Sequence, residues 1–393
     1  MESYFEEEQT GLTLEENREY RVRYERRQRM RRERQRRMEK KRMIKRFLLL
    51  GVLAAGMVLI GVATKSGRKS GAEENPAKGQ ETAALEQAGG LEIEKITESL
   101  PEEEVAEPET EEAEAEVDTP VYHFEETEDT AVIDSADVIS TQAVLVDEST
   151  DTIAAARGAG ERIMPASMTK VLTILVAAEH IPEEQLDDTF TMTREITDYA
   201  YVNDCSCVGF LDGEEVPVRD LFYGTAMQSG GDAALGLAVY VSGSQEEFVS
   251  LMNQKLKELG IADSTHFTNC VGLYDEAHYS TVYDMAVMMK AAMQNELCRD
   301  FLSAHIYTTK PTAEHPEGIE ISNWFLRRIE DKDTGGEVLC AKTGYIVQSK
   351  NCAVSFGTFA GGTPYICVTA GSTSNWRCIY DHVEIYNRYV TSE

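Results

Sequence analysis

No cysteine occurs in the first half of the 393-residue chain. A disulfide framework is therefore excluded there. No internal repeat is visible, which sets aside solenoids and propellers. Apolar residues thin out from residue 65 to about 134, where the text runs "LPEEEVAEPETEEAEAEVDTP". Such a stretch has too little hydrophobic surface to offset the entropy of ordering, so it reads as an acidic disordered linker. Aromatic residues are scarce among the bases of Arg21–Arg46, and no recognised motif spacing falls there. That sets aside nucleic-acid binding, which needs stacking groups or a reading element beside the charge. Charge is wholly missing from "FLLLGVLAAGMVLIGVAT", Phe47 to Thr64.

The formal net charge of −31 hides this segregation. The first 46 residues are dense in Arg and Lys, whereas residues 71–135 carry about twenty more acids than bases. The uncharged run between them is close to the roughly twenty apolar residues that a bilayer core requires. A basic arm this long argues against a cleaved signal peptide, and the polar flanks argue against a buried core helix. We expect an uncleaved transmembrane anchor. The excess of Arg and Lys precedes it, so the N-terminus is expected in the cytoplasm and everything beyond residue 65 outside. A self-repelling linker of this length spans about 45 Å or more. The expected organisation is a cytoplasmic basic arm (1–46), a transmembrane anchor (47–64), an acidic linker (65–134) and a globular domain (135–393).

Within the globular part, "STQAVLVDESTDTIAAARG" reads as a β-hairpin: two apolar runs flank a turn-rich "DESTD". Helical spacing follows in "VRDLFYGTAMQSG", "GDAALGLAVYVSG", "SQEEFVSLMNQKLKELG" and "TVYDMAVMMKAAMQNE". The third of these opens on a capping box, Ser244 with Glu247, and closes on Gly260. Towards the end, "EVLCAKTGYI", "NCAVSFGTFAGG" and "TPYICVTAGS" read as consecutive strands, and "NWRCIYDHVEIYNRYV" as a last helix. Strands at both ends and helices between predict an α/β (α+β) domain, a mixed, mainly antiparallel sheet flanked by helices.

One stretch resists a purely structural reading. "PASMTKVLTILVAAE" is almost wholly apolar after Lys170. A lysine in such a helix must have its charge matched, reach solvent or be used. Ser167 lies three residues earlier, on the same face. A serine hydroxyl needs a nearby base to act as a nucleophile, and burial can lower a lysine amine into that role. Alone, a Ser-x-x-Lys is weak. Two further pieces strengthen it: "QSGGD" places Ser229 in a tight turn between helices, and "CAKTGY" places Lys342, Thr343 and Gly344 on a strand.

In that order these three motifs are signatures of β-lactamases and penicillin-binding proteins. The chain resembles the D-alanyl-D-alanine carboxypeptidases, the low-molecular-weight penicillin-binding proteins, over about residues 138–390. The resemblance includes "DSTHFTNCVGLYDEAHYSTVYDMAVM", with His266, Asn269, Gly272, Leu273, His278, Ser280, Thr281 and Asp284, and "ISNWFLRR", with Asn323. It implies a serine-type D-Ala-D-Ala carboxypeptidase that removes the terminal D-alanine of peptidoglycan stem peptides. Ser167 would be the nucleophile and Lys170 its base. Ser229 would bond Lys170 and relay the proton. Lys342 and Thr343 would bind the substrate carboxylate. Gly344 permits close backbone approach, and the N–H groups of Ser167 and Tyr345 would form the oxyanion hole. β-Lactams would acylate Ser167.

Two features depart from the family pattern. Gly231 stands where the second motif usually carries Asn, which removes a side-chain amide from the cleft. Ser349 and Lys350 stand where small residues are common. The alternatives are a catalytically weak wall-binding or β-lactam-sensing protein of the same fold, and a β-lactamase. The latter lacks a clear Glu-containing deacylation motif between Ser229 and Lys342. His266, Cys270 and His278 fit no standard zinc spacing, so neither metal nor cofactor is expected. Among the cysteines, Cys352 and Cys367, on consecutive expected strands, are the first candidates for a disulfide.

Overall fold

The computed structural model describes residues 122–390. The basic arm, the Phe47–Thr64 run and most of the acidic linker lie outside the described residues. Among the described residues no helix is long and apolar enough to cross a membrane.

A short strand, β1 (Ala131–Val132), precedes the expected hairpin of β2 (Gln142–Asp147) and β3 (Thr152–Arg157). Helix α1 (Lys170–His180) leads to β4 (Thr189–Thr191), α2 (Arg194–Val202) and β5 (Glu215–Pro217). Helices α3 (Val218–Met227), α4 (Gly231–Ser242), α5 (Gln245–Glu258), α6 (Val282–Gln294) and α7 (Glu296–Ser303) follow. Then come β6 (Ile306–Thr308), β7 (Glu320–Ser322) and the short α8 (Leu326–Ile329). The chain closes with β8 (Glu337–Ile346), β9 (Lys350–Thr358), β10 (Pro364–Ser372) and α9 (Asn375–Tyr389).

Six strands form the main sheet in the order β1-β3-β2-β10-β9-β8. Every pairing is antiparallel except β1 with β3. The expected mixed, mainly antiparallel sheet is thus present. Packing begins ahead of Asp134: Phe124 is buried, and Glu125 bridges to Thr152.

Alternation along β2 explains how one short strand serves two layers. Val144 and Val146 point into the larger core with α1 and α6, while Ala143 and Leu145 point into a second core with Ile385 and Tyr386 of α9. Side chains at period two face opposite sides of a sheet. Burying each of Val144, Leu145 and Val146 contributes about 1.5–3 kcal/mol. The cap read at Ser244 is present: its Oγ accepts the Glu247 N–H at 3.1 Å. Thr281 Oγ1 caps α6 in the same way, accepting the Asp284 N–H at 2.9 Å.

Candidate active site

Ser167 sits in a 3-10 turn, Ala166–Thr169, that runs directly into α1. The sequence predicted a helix from this serine. The tighter turn instead aligns residues three apart more closely than an α-helix does. Ala166, immediately before the serine, holds φ at +47°. That costs a non-glycine residue about 1–3 kcal/mol, and the surrounding packing must hold it.

Lys170 is 1% exposed. Its Nζ lies 3.0 Å from Ser167 Oγ and donates to the Val271 carbonyl at 2.6 Å. Burial lowers its amine to about 8, against the opposing pull of the Cys205 and Cys270 thiols and the Asp232 carboxyl. The lysine in an apolar helix is therefore matched by two oxygens, and burial brings its neutral form within reach.

The Val271 carbonyl is itself fixed. Asn269 Oδ1 accepts the N–H groups of Val271, Gly272 and Leu273 at 3.2, 2.7 and 2.9 Å. Gly272 adopts φ +79°, and a Cβ there would lie 1.9 Å from the Ala166 carbonyl oxygen. The glycine is thus required by both backbone angle and close approach. His278 supports the same corner. Its Nδ1 accepts the Thr268 N–H at 3.1 Å, so its Nε2 carries the proton and donates to Thr169 Oγ1 at 2.9 Å. Burial holds this ring neutral, with a pKa near 4.

Across the cleft, Ser229 occupies the turn between α3 and α4 with φ +57°. Its hydroxyl accepts a hydrogen bond from Lys342 Nζ at 2.8 Å. The sequence reading had paired Ser229 with Lys170; in the structure its partner is the lysine of the third motif. Lys342 is 2% exposed, and burial together with the neighbouring Lys170 amine lowers its pKa.

Lys342, Thr343, Gly344 and Tyr345 lie on β8, the edge of the sheet. A Cβ on Gly344 would meet the Pro165 oxygen at 2.8 Å and the Ser167 nitrogen at 3.0 Å, so only a glycine lets the strand lie against the serine's backbone. The Ile346 N–H turns inward to Ser349 Oγ. Strand alternation then directs the Tyr345 N–H outward, along the free edge beside Ser167. The Tyr345 side chain is exposed. Asn323 braces the strand, donating to the Ala341 carbonyl at 3.1 Å.

All eight cysteines are free thiols. The expected pairing of Cys352 with Cys367 is corrected by the two faces of the sheet. Cys352 packs with the larger core, near Pro165 and Gly344, and Cys367 with the core under α9. Asn269 was singled out only through the resemblance and without a role, and the Val271 carbonyl that it positions was missed.

A mainly antiparallel sheet with a helical layer on one face, a terminal helix on the other and a Ser-x-x-Lys turn against an edge strand defines the penicillin-binding-protein-like fold. The family model for D-alanyl-D-alanine carboxypeptidase matches residues 127–374, and the chain belongs to this family. The D-alanyl-D-alanine carboxypeptidase DacF of Bacillus subtilis is 32% identical over 210 residues, which cover 53% of this chain and 52% of the relative. A D-alanyl-D-alanine carboxypeptidase from a Streptomyces species is 30% identical over 243 residues, 58% of this chain and 79% of the relative. The chain spans about half the length of the first of these relatives, by the 52% given above. The crystal structure of a Streptomyces DD-transpeptidase superposes with a TM-score of 0.57 at 26% identity, covering 64% of this chain and 97% of that one.

Proposed function

We propose that this protein is a serine-type D-Ala-D-Ala carboxypeptidase acting on peptidoglycan stem peptides. One observation carries the reading: a half-buried serine hydroxyl lies 3.0 Å from a buried lysine whose amine burial lowers to about 8. In this mechanism Lys170, neutral, takes the Ser167 proton as Oγ attacks the carbonyl between the two terminal D-alanines. A positioned base of this kind contributes about 10²–10⁴-fold. The developing oxyanion is received by the N–H groups of Ser167 and Tyr345. Lys170 returns the proton to the leaving amine, D-alanine departs, and water then releases the acyl group, while Ser229 holds the Lys342 amine in place. Lys342 and Thr343 hold the terminal carboxylate, whose charge favours the ammonium form of Lys342. β-Lactams enter as carbonyl mimics and acylate Ser167.

The tether fits this substrate. A basic arm, an uncharged run and an acidic linker support an anchored protein whose catalytic domain works outside the cytoplasmic membrane. A second reading, a slow acyl-enzyme that senses β-lactams, is favoured by Gly231, which leaves the second motif without its amide.

The test is labelling of the full chain with a fluorescent penicillin, and D-alanine release from a peptide ending in D-Ala-D-Ala, with Ser167→Ala in parallel. Labelling and release that are both lost in the variant support the carboxypeptidase. Labelling without release supports the sensor. A parent that neither labels nor releases D-alanine sinks both.

A further inference from the structure

The second motif ends in a residue with no side chain, yet the space beside it is full. A Cβ placed on Gly231 would lie 2.7 Å from Cys205 Cβ and 3.0 Å from Cys205 Sγ. Real atoms do not approach that closely, so the volume of a side chain at 231 is occupied by Cys205, from the loop that follows α2.

That loop is pinned. The Cys205 N–H donates to the Ala200 carbonyl at 2.9 Å, and the Gly231 N–H donates to the Ser206 carbonyl at 2.7 Å. The buried Asp232 carboxylate accepts the N–H groups of Val208 and Gly209 at 3.0 and 2.9 Å. Ser206, Val208 and Gly209 are thus tied to the first turn of α4 and Cys205 to α2, so Cys205 has no inexpensive way aside. Six of the eight cysteines are buried; Cys205 and Cys207 are partly open to solvent.

We propose that Cys205 is a specificity-determining residue of the cleft, its side chain standing in the place that the second motif leaves empty at Gly231. Where an amide would offer two donors and an acceptor, the cleft wall carries a soft, weakly polar thiol. A substrate backbone that relies on an amide there is received less well, and an apolar side chain is received better. This rests on the reading of Ser167 and Lys170 as the active site.

Two measurements on the full chain test it. The first exchanges the two positions. Gly231→Asn alone places its Cβ on Cys205 and should slow penicillin acylation at least tenfold. Gly231→Asn with Cys205→Gly empties the space and should recover acylation to within about threefold of the parent, with a changed KM for the peptide. A single variant that acylates at the parental rate, or a double variant no faster than the single, overturns the proposal.

The second measurement needs no variant in the first motif. Methyl methanethiosulfonate converts a thiolate to a mixed methyl disulfide as the sulfinate leaves. Burial pushes the Cys205 thiol up, so the exposure is prolonged and alkaline, and peptide mass mapping should then find Cys205 modified in the free protein; a Cys205 that stays unmodified overturns the proposal. Prior acylation of Ser167 by penicillin should protect it at least tenfold. Cys205 modified equally with and without penicillin, in a protein that acylates normally, overturns this proposal alone. A parent that never acylates overturns it together with the proposed function.

Discussion

Lys342 Nζ donates to Ser229 Oγ at 2.8 Å and to the Thr343 carbonyl at 3.0 Å, so one amine joins the edge strand β8 to the turn between α3 and α4. Burial, and then the Lys170 amine, lower its pKa. An arriving carboxylate works in the opposite direction and favours the ammonium. A charge-assisted hydrogen bond of this kind is worth about 1.5–3 kcal/mol. Lys342→Ala should therefore lower kcat/KM for a peptide ending in D-Ala-D-Ala by roughly 10–100-fold. The sharper readout is discrimination. The parent should prefer the free acid to the C-terminal amide of the same peptide, and the variant should not. A variant that keeps the preference would remove Lys342 from carboxylate binding.

The Lys170 amine, lowered by burial to about 8, gives the reaction a pH signature. Only the neutral amine can accept the Ser167 proton. The acylation rate should rise as pH rises through about 8 and then level off. Lys170→Arg keeps a charge but removes the base, because a guanidinium does not deprotonate in this range. Acylation should fall by about 10³-fold or more, from the loss of general-base catalysis. Stopped-flow penicillin acylation between pH 6 and 10 measures both. A flat profile would mean that some other group takes the proton.

Gly272 has the tightest approach among the glycines at the site. At φ +79°, a Cβ would lie 1.9 Å from the Ala166 oxygen, whereas a Cβ on Gly260, at φ +73°, would meet nothing within 4 Å. The two positions share the backbone penalty of about 1–2 kcal/mol for a left-handed residue. Gly272 adds an overlap with the residue preceding the nucleophile, and overpacking costs about 1–3 kcal/mol more. Gly272→Ala should lower the urea midpoint further than Gly260→Ala does. It should also abolish penicillin labelling, which Gly260→Ala should preserve. Equal effects at the two sites would show that the loop yields without disturbing Ser167.

How far the sequence foretold this molecule depends on whether a contact leaves a mark in residue types. Ser167 and Lys170 were legible because their chemistry fixes both the residues and the three-residue spacing, and Lys342 to Gly344 because a strand must bring a cation to a close backbone contact. The hairpin of β2 and β3 and the closing strands were legible from apolar runs between turn residues. The partner of Ser229 was not, since two lysines were available and only the tertiary arrangement selects Lys342. The Cys352–Cys367 pairing failed for a similar reason: neighbouring strands suggest proximity, but the sheet places the two thiols on opposite faces. The three-residue strands β4 to β7 carry too few positions for a period to show. Cys205 against Gly231 joins two loops through a missing side chain, which no local pattern records.

The Val271 carbonyl, 101 residues from Lys170 in sequence, is the least legible contact of all, because any residue type supplies a carbonyl. What has a residue type is its support. Asn269 Oδ1 gathers three successive N–H groups, and its Nδ2 donates to the Leu273 carbonyl at 3.2 Å. Asn269→Ala leaves those three N–H groups without an acceptor, two of them buried, at a cost of about 1–3 kcal/mol for each buried group left unpaired. The loop should relax and the Val271 oxygen move away from Nζ. The ammonium form of Lys170 then loses an acceptor that favours it, so its pKa falls and the rise in acylation shifts to lower pH. Asn269→Asp keeps the accepting oxygen but trades the amide donor for a negative charge, which favours the Lys170 ammonium. Its acylation profile should move to higher pH, whereas that of Asn269→Ala should move to lower pH with a maximal rate lowered about tenfold or more. A loss of stability without a moved profile would confine Asn269 to folding. Profiles moved in opposite directions by the two variants would make it a positioning residue for the base.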